Sequence, residues 1–76
     1  MSPRTRGDAL EALLFVRRNH ADNPQAVTAF VDARRELADW AAATARTPHG
    51  RAVAHALRFA ADAATRALAD LQEIAA

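Results

Sequence analysis

Apolar residues recur along this chain at the spacing of helices, and no stretch alternates apolar and polar residues as a strand would. Two short segments that contain proline, at residues 22–24 and 47–50, divide the pattern into three stretches. Proline fits the first turn of a helix but not its interior, so each segment predicts the end of one helix and the start of the next. The pattern therefore predicts an all-α fold, a small three-helix bundle.

The organisation of the chain follows from these breaks. We expect a mobile basic arm at 1–6 and a single helical domain at 7–76, with helices at about 8–21, 24–46 and 48–75. Asn23 and Thr47 are suited to cap the second and third helices, with Pro24 and Pro48 at the first helical positions. The short connections favour antiparallel neighbours. The alternative is that the second and third helices meet at a kink and form one long bent rod.

The third helix has the clearest amphipathic pattern. At about 100° per residue, its apolar stripe comprises Val53, Ala56, Leu57, Ala60, Ala64, Ala67, Leu68, Leu71 and Ile74. The opposite side carries charges of alternating sign at i, i+4 spacing, namely Arg58, Asp62, Arg66 and Asp70. This spacing predicts a solvated face with ion pairs between successive turns.

The second helix is apolar around most of its circumference. Its main stripe comprises Ala26, Ala29, Phe30, Ala33, Leu37, Trp40, Ala41 and Thr44. A second stripe, roughly 110° away, includes Val27, Val31, Ala38 and Ala42. Such a helix needs two neighbours: it is either the middle helix of the bundle or a helix that contacts both its own chain and another. We predict that the second stripe is a self-association surface.

Length and composition predict a core that one chain completes poorly. A domain of 76 residues is near the size at which a single core gives only a few kcal/mol of stability, and 22 of these residues are alanines, which bury little area each. The first predicted helix is little more than half as long as the third and leaves part of it uncovered. Because the chain has no cysteine, neither a disulfide nor a thiolate zinc site compensates. We therefore expect a homodimer that completes the core.

Two phenylalanines lie outside the core stripes of their helices. Phe15 projects from the far side of the first helix, and Phe59 is out of phase in the third. Each has arginine nearby, and an exposed aromatic residue beside arginine is typical of an interface anchor. We expect Phe15, Arg17, Arg18 and Phe59 to bind acidic groups and apolar surface of a protein partner. The alternative is that another helix or the N-terminal arm covers the two phenylalanines.

A nucleic-acid-binding function is the disfavoured alternative. It would depend on arginine, the only strongly basic residue type in the chain, at positions 4, 6, 17, 18, 34 and 35. Acidic residues at 8, 11, 32 and 36 accompany these arginines, and the net charge is only +1. Affinity for a phosphate backbone depends on accumulated positive charge, which this pattern does not provide.

Motifs for catalysis, cofactors or metals do not occur. The chain lacks Cys, Lys and Tyr, and its one serine lies in the predicted arm. No spacing activates a nucleophile or pairs carboxylates on an apolar face. The three histidines, His20, His49 and His55, are not spaced as metal ligands on one helical face. We therefore expect a protein that is not an enzyme and has no cofactor.

The expected location is the cytoplasm. No apolar run reaches the roughly 18 residues of a membrane span, and the N-terminus has no apolar signal region. Taken with the apolar stripes, the sequence predicts a small non-enzymatic helical module for protein-protein interaction that also self-associates. It would serve as an adaptor, an assembly component or an inhibitor of a larger protein machine.

Overall fold

A computed structural model describes the backbone of residues 6–75 and the side chains of residues 9–73. Three helices follow one another, α1 (Arg6–Asn19), α2 (Ala26–Thr44) and α3 (Pro48–Ala75), and residues 6–75 contain no strand. The predicted all-α bundle of three helices is confirmed. The arm expected at 1–6 lies outside the described residues, apart from Arg6, with which α1 begins.

The three helices pack side by side in a body of 42 × 21 × 20 Å. The most extensive contact is between α2 and α3, the next joins α1 to α3, and α1 touches α2 least. Helices α2 and α3 therefore fold back on each other as a hairpin instead of forming one bent rod. The hairpin is closed by the connection at 45–47, which we call the hairpin tip.

Helix α3 begins as its sequence predicts. The Thr47 hydroxyl accepts a hydrogen bond from the Gly50 N–H at 3.0 Å, and the Thr47 carbonyl accepts one from the Arg51 N–H at 2.9 Å. Pro48 occupies the first helical position, where its missing N–H leaves no helical bond unmade. A Cβ atom at Gly50 would lie 3.2 Å from the Thr47 hydroxyl oxygen, so glycine leaves room for the cap.

Helix α2 begins two residues later than predicted. The Asn23 side chain accepts a hydrogen bond from the Gln25 N–H at 3.1 Å, and its carbonyl accepts one from the Ala26 N–H at 3.1 Å. Asn23 and Pro24 therefore form a turn that precedes the helix. The first helical bond of the i to i−4 type runs from the Ala29 N–H to the Gln25 carbonyl, at 2.9 Å.

The core lies in the half of the molecule that contains α1. One cluster of buried residues joins all three helices: Ala9, Leu13, Val27, Val31, Ala63, Ala64, Ala67 and Leu71. Leu13 and Val31 are its largest fully buried side chains. Among the described residues, those buried outside this cluster are all alanines: Ala38, Ala41, Ala54, Ala60 and Ala61. Large apolar side chains therefore fill one half of the bundle, whereas the half nearer the hairpin tip is held by close alanine packing.

Candidate protein-protein interface

The predicted partner-binding residues all lie on the surface. Phe15 is 61% exposed on α1, on the side opposite the buried Ala9 and Leu13, and Phe59 is 56% exposed on α3. Arg17 and Arg18 are exposed at the end of α1. Phe15 and the two arginines belong to α1, and Phe59 belongs to α3.

The residues predicted for self-association are mostly inside the chain. Val27, Val31 and Ala38 are buried within a single copy, and of the four only Ala42 is exposed. A second copy therefore cannot reach this stripe without unpacking the core. The roles predicted for the two stripes of α2 are therefore reversed. The stripe expected to self-associate packs against α3, and much of the main stripe faces solvent. Leu37 and Trp40, from the main stripe, are 47% and 64% exposed.

The apolar stripe of α3 is buried along only part of its length. Ala60 and Ala67 are buried, but Val53, seven residues before Ala60 on the same side of the helix, is 43% exposed. Ala63 is buried too, whereas Ala56, again seven residues earlier, is exposed. The same stripe thus changes from solvent-facing to buried along the helix.

The length of α1 explains this change. With 14 residues against the 28 of α3, α1 extends for about 21 Å beside a helix of about 42 Å, at 1.5 Å per residue. The cluster that joins Ala9 and Leu13 of α1 to α3 includes only residues from Ala63 onward. Helix α1 therefore covers the C-terminal half of α3 and leaves the half nearer the hairpin tip uncovered.

The uncovered side of α2 is continuous with the uncovered side of α3. Phe30 packs against the three-helix cluster, and Leu37 lies seven residues later on the same side of α2. Trp40 is three residues further, one turn closer to the hairpin tip. We call the exposed surface on this side of the hairpin the tip face and define it as Leu37, Trp40, Val53, Ala56 and Phe59, with Phe59 at its outer edge.

The tip face carries no charge. Its neighbours Ala33, Thr44 and Ala52 are also uncharged, whereas Arg34, one turn before Leu37, and Glu36, one turn before Trp40, lie at its border. Charged groups also lie on the other side of the hairpin, where Arg58 of α3 donates a hydrogen bond to Asp39 of α2. That hydrogen bond and then the charge of Asp39 raise the pKa of the Arg58 guanidinium. The five residues of the tip face therefore offer a partner apolar contact, and charged groups lie only at its border.

Arg34 lies where the core meets the tip face. Its guanidinium carbon is 4.8 Å from the centre of the Phe30 ring, a cation-π geometry. Its Nε is buried without a hydrogen-bond partner among the described residues. The side chain is half-buried, so most of its length covers apolar surface. Arg34 is thus committed to the packing of its own chain.

An open cleft of about 330 Å³ lies at the turn between α1 and α2. Its floor includes Val27, Leu68 and Leu71, and Arg17 and His20 contribute to its rim. The lining residues include no carboxylate, cysteine or serine. Its volume is at the lower limit for small-molecule sites.

The described residues contain neither a metal site nor a membrane-spanning helix. Among the described side chains, those of residues 9–73, no three His, Cys, Asp or Glu lie close enough together to hold a metal ion. Within residues 6–75, none of the helices combines the length and the apolar character that crossing a membrane requires.

Comparison with known proteins finds no relative. No family model matches the chain, and the searches of curated proteins and of solved structures return no significant match.

The sequence pattern missed Leu37, Trp40 and Val53 as surface residues because periodicity assigned them to core stripes. The signal that could have identified them is the difference in helix length, since a short first helix cannot cover two long ones along their full extent. This difference in length predicts that the apolar positions nearest the hairpin tip are uncovered.

Proposed function

We propose that the protein is a small, non-enzymatic helical interaction module that works by burying its tip face against an apolar surface of a protein subunit. The observation that carries this proposal is the exposure of the large apolar residues Leu37, Trp40 and Val53 in the half of the hairpin that α1 does not cover. Isolated exposed apolar residues are ordinary on protein surfaces. A contiguous group of them marks an interaction site.

The size of the exposed surface supports this function. An aromatic side chain has about 150 to 250 Å² of surface. Trp40 and Phe59 are both more than half exposed, so together they expose roughly 200 to 300 Å² to water. Leu37 and Val53 extend this area toward the largest apolar patches found on monomers, about 300 to 600 Å². Tryptophan is also enriched among the residues that dominate binding energy.

A second surface belongs to the same proposal. Phe15 is exposed on α1 with Arg17 and Arg18 in the last turn of that helix. An aromatic ring beside two guanidinium groups suits a partner that presents carboxylates near apolar side chains. Because the tip face belongs to α2 and α3, one chain would hold two proteins at once, as an adaptor does.

The homodimer and the cytoplasmic location expected from the sequence are parts of this proposal. A second copy that occupies the tip face would use a different surface from the buried stripe of Val27, Val31 and Ala38. The absence of cysteine is compatible with a reducing compartment.

Affinity capture with matched surface variants tests the proposal. Tagged wild type, Trp40→Glu, Phe15→Glu and His55→Glu would each be recovered from the cells that express the protein, and co-purifying proteins would be identified by mass spectrometry. His55 is exposed on α3 outside both surfaces, so His55→Glu is the control for an added charge. All four should have the same helical circular dichroism.

We expect Trp40→Glu to lose co-purifying subunits that the control retains, because burial of a carboxylate without a partner is costly. Loss in Phe15→Glu alone would assign the function to the α1 surface. The same set of captured proteins for all four variants would refute an interaction module at either surface.

A further inference from the structure

The cleft at the turn between α1 and α2 has an apolar floor that lies below the surface of the bundle. Val27 and Leu71, in this floor, are only 7% and 6% exposed, and the half-buried Leu68 belongs to it as well. A recess with an apolar floor and a few polar groups around it is the usual form of a small-molecule site. Its lining therefore indicates which chemistry a ligand needs.

The polar side chains that line the cleft can all donate hydrogen bonds. The Arg17 guanidinium has N–H donors and no acceptor. The Asn23 side-chain oxygen already accepts the Gln25 N–H at 3.1 Å, which leaves the NH₂ group of Asn23 as a donor. The remaining polar side chains of the lining also carry an N–H or O–H group, namely His20, Thr28 and Gln72. The cleft therefore favours a ligand whose polar end consists of acceptors.

The permanent charge that lines the cleft is positive. It comes from Arg17, which is always protonated in proteins and forms no ion pair with a described side chain. Three carboxylates are nearby in the sequence, those of Asp22, Asp70 and Glu73, but none of them lines the cleft. An anion in the cleft would therefore meet a guanidinium and no carboxylate, and the three acids around it should keep the attraction moderate.

We infer that the cleft binds a small amphipathic carboxylate, with its apolar chain against Leu68 and Leu71 and its carboxylate on the Arg17 guanidinium. Guanidinium and carboxylate form paired, charge-assisted hydrogen bonds. A phosphate monoester, with a charge of about −1.5 to −2 at neutral pH, would keep part of its charge uncompensated above an apolar floor. The site goes beyond the proposed function, because it takes a small molecule and not a protein surface.

The size of the cleft sets the size of the ligand and the strength of binding. Its volume of about 330 Å³ suits a short alkyl or aryl acid and not a long-chain lipid. A ligand of about ten non-hydrogen atoms, at the free energy per atom typical of drug-sized ligands, has a dissociation constant of roughly 0.1 to 10 mM. The apolar chain and the carboxylate both contribute, so each part can be tested separately.

Titration of the purified chain with octanoate, followed by proton–nitrogen correlation NMR, tests the inference. We expect saturable shifts of the backbone amides at 17–28 and 68–72, which surround the cleft, and no comparable shifts at 37–59. Octylammonium has the same alkyl chain and a positive head group. It should bind the wild type at least about tenfold more weakly, because it meets the Arg17 guanidinium as a like charge.

A matched pair of arginine variants tests the contact to the head group. Arg17→Gln removes the charge and should weaken octanoate binding at least about tenfold, which brings it close to octylammonium binding. Arg35→Gln removes the same charge from an exposed position on α2 that does not line the cleft, and it should bind octanoate as the wild type does. Both arginines are exposed, so both variants should keep the helical circular dichroism of the wild type.

Four outcomes would overturn the inference. They are the absence of saturable shifts, shifts centred on the tip face, equal affinity of the wild type for octanoate and octylammonium, and equal octanoate affinity of Arg17→Gln and Arg35→Gln. The titration needs no protein partner, so its result is independent of the affinity capture that tests the proposed function.

Discussion

Val53 and Ala60 lie seven residues apart on the same stripe of α3, yet Val53 is 43% exposed and Ala60 only 7%. The stripe itself is continuous, so the difference comes from the neighbour and not from the helix. Helix α1 packs against α3 from Ala63, the turn after Ala60, onward and does not reach Val53. The bundle therefore has a covered half and an uncovered half, and equal substitutions in the two halves should have unequal effects.

Leucine truncation distinguishes the two halves. Leu13 is fully buried in the three-helix cluster, and Leu13→Ala should cost about 2 to 5 kcal/mol of unfolding free energy through lost burial and a residual cavity. Leu37→Ala removes the same atoms from a side chain that is 47% exposed, so its cost to the monomer should be smaller, below about 1.5 kcal/mol. Urea denaturation at low protein concentration measures both. Equal losses would contradict the assignment of Leu37 to the surface.

Enlarging two alanines of α2 tests which of its faces packs within the chain. Ala38 has no exposed surface, and Ala38→Leu should destabilise the monomer by about 1 to 3 kcal/mol because α2 and α3 must separate to admit three more carbons. Ala42→Leu is the matched control at an exposed position and should change stability little. The measurement is the thermal midpoint of each variant. Tolerance of leucine at both positions would mean that Ala38 is not closely packed.

The cap of α3 makes a separate contribution. Thr47→Ala removes the hydroxyl that accepts the Gly50 N–H and should lower the unfolding free energy by about 0.5 to 2 kcal/mol. Thr47→Ser keeps the hydroxyl and should retain most of the stability. Denaturant midpoints of the two variants measure the difference. If the serine variant lost as much as the alanine variant, the hydroxyl cap would not be the cause.

Nucleic acid should not bind with useful affinity. Arg34 is packed on Phe30, Arg58 is paired with Asp39, and the net charge of the chain is +1. A mobility-shift assay with single-stranded and duplex probes at low salt should therefore show no complex at micromolar protein. A complex that weakens steeply as salt is added would instead indicate contacts to phosphate.

Features that depend on residues close together in sequence could be predicted. Thr47 and Pro48 are neighbours in sequence, and the capping bond they organise spans three residues, so the start of α3 follows from the sequence alone. Asn23 was predicted to cap the second helix, but its bond to Gln25 closes a turn before the helix, and Gln25 occupies the cap position. The exposure of Phe15 follows similarly from its phase within a single helix.

The choice between the two apolar faces of α2 required the tertiary structure. Val31 and Leu37 are both apolar and both in phase with other apolar residues, so periodicity alone describes two equivalent stripes. What distinguishes them is which stripe α3 contacts and how far α1 extends along the hairpin. Helical phase is a property of each segment by itself, whereas burial depends on the neighbour that another segment supplies, and on this basis Val31 became core and Trp40 became surface.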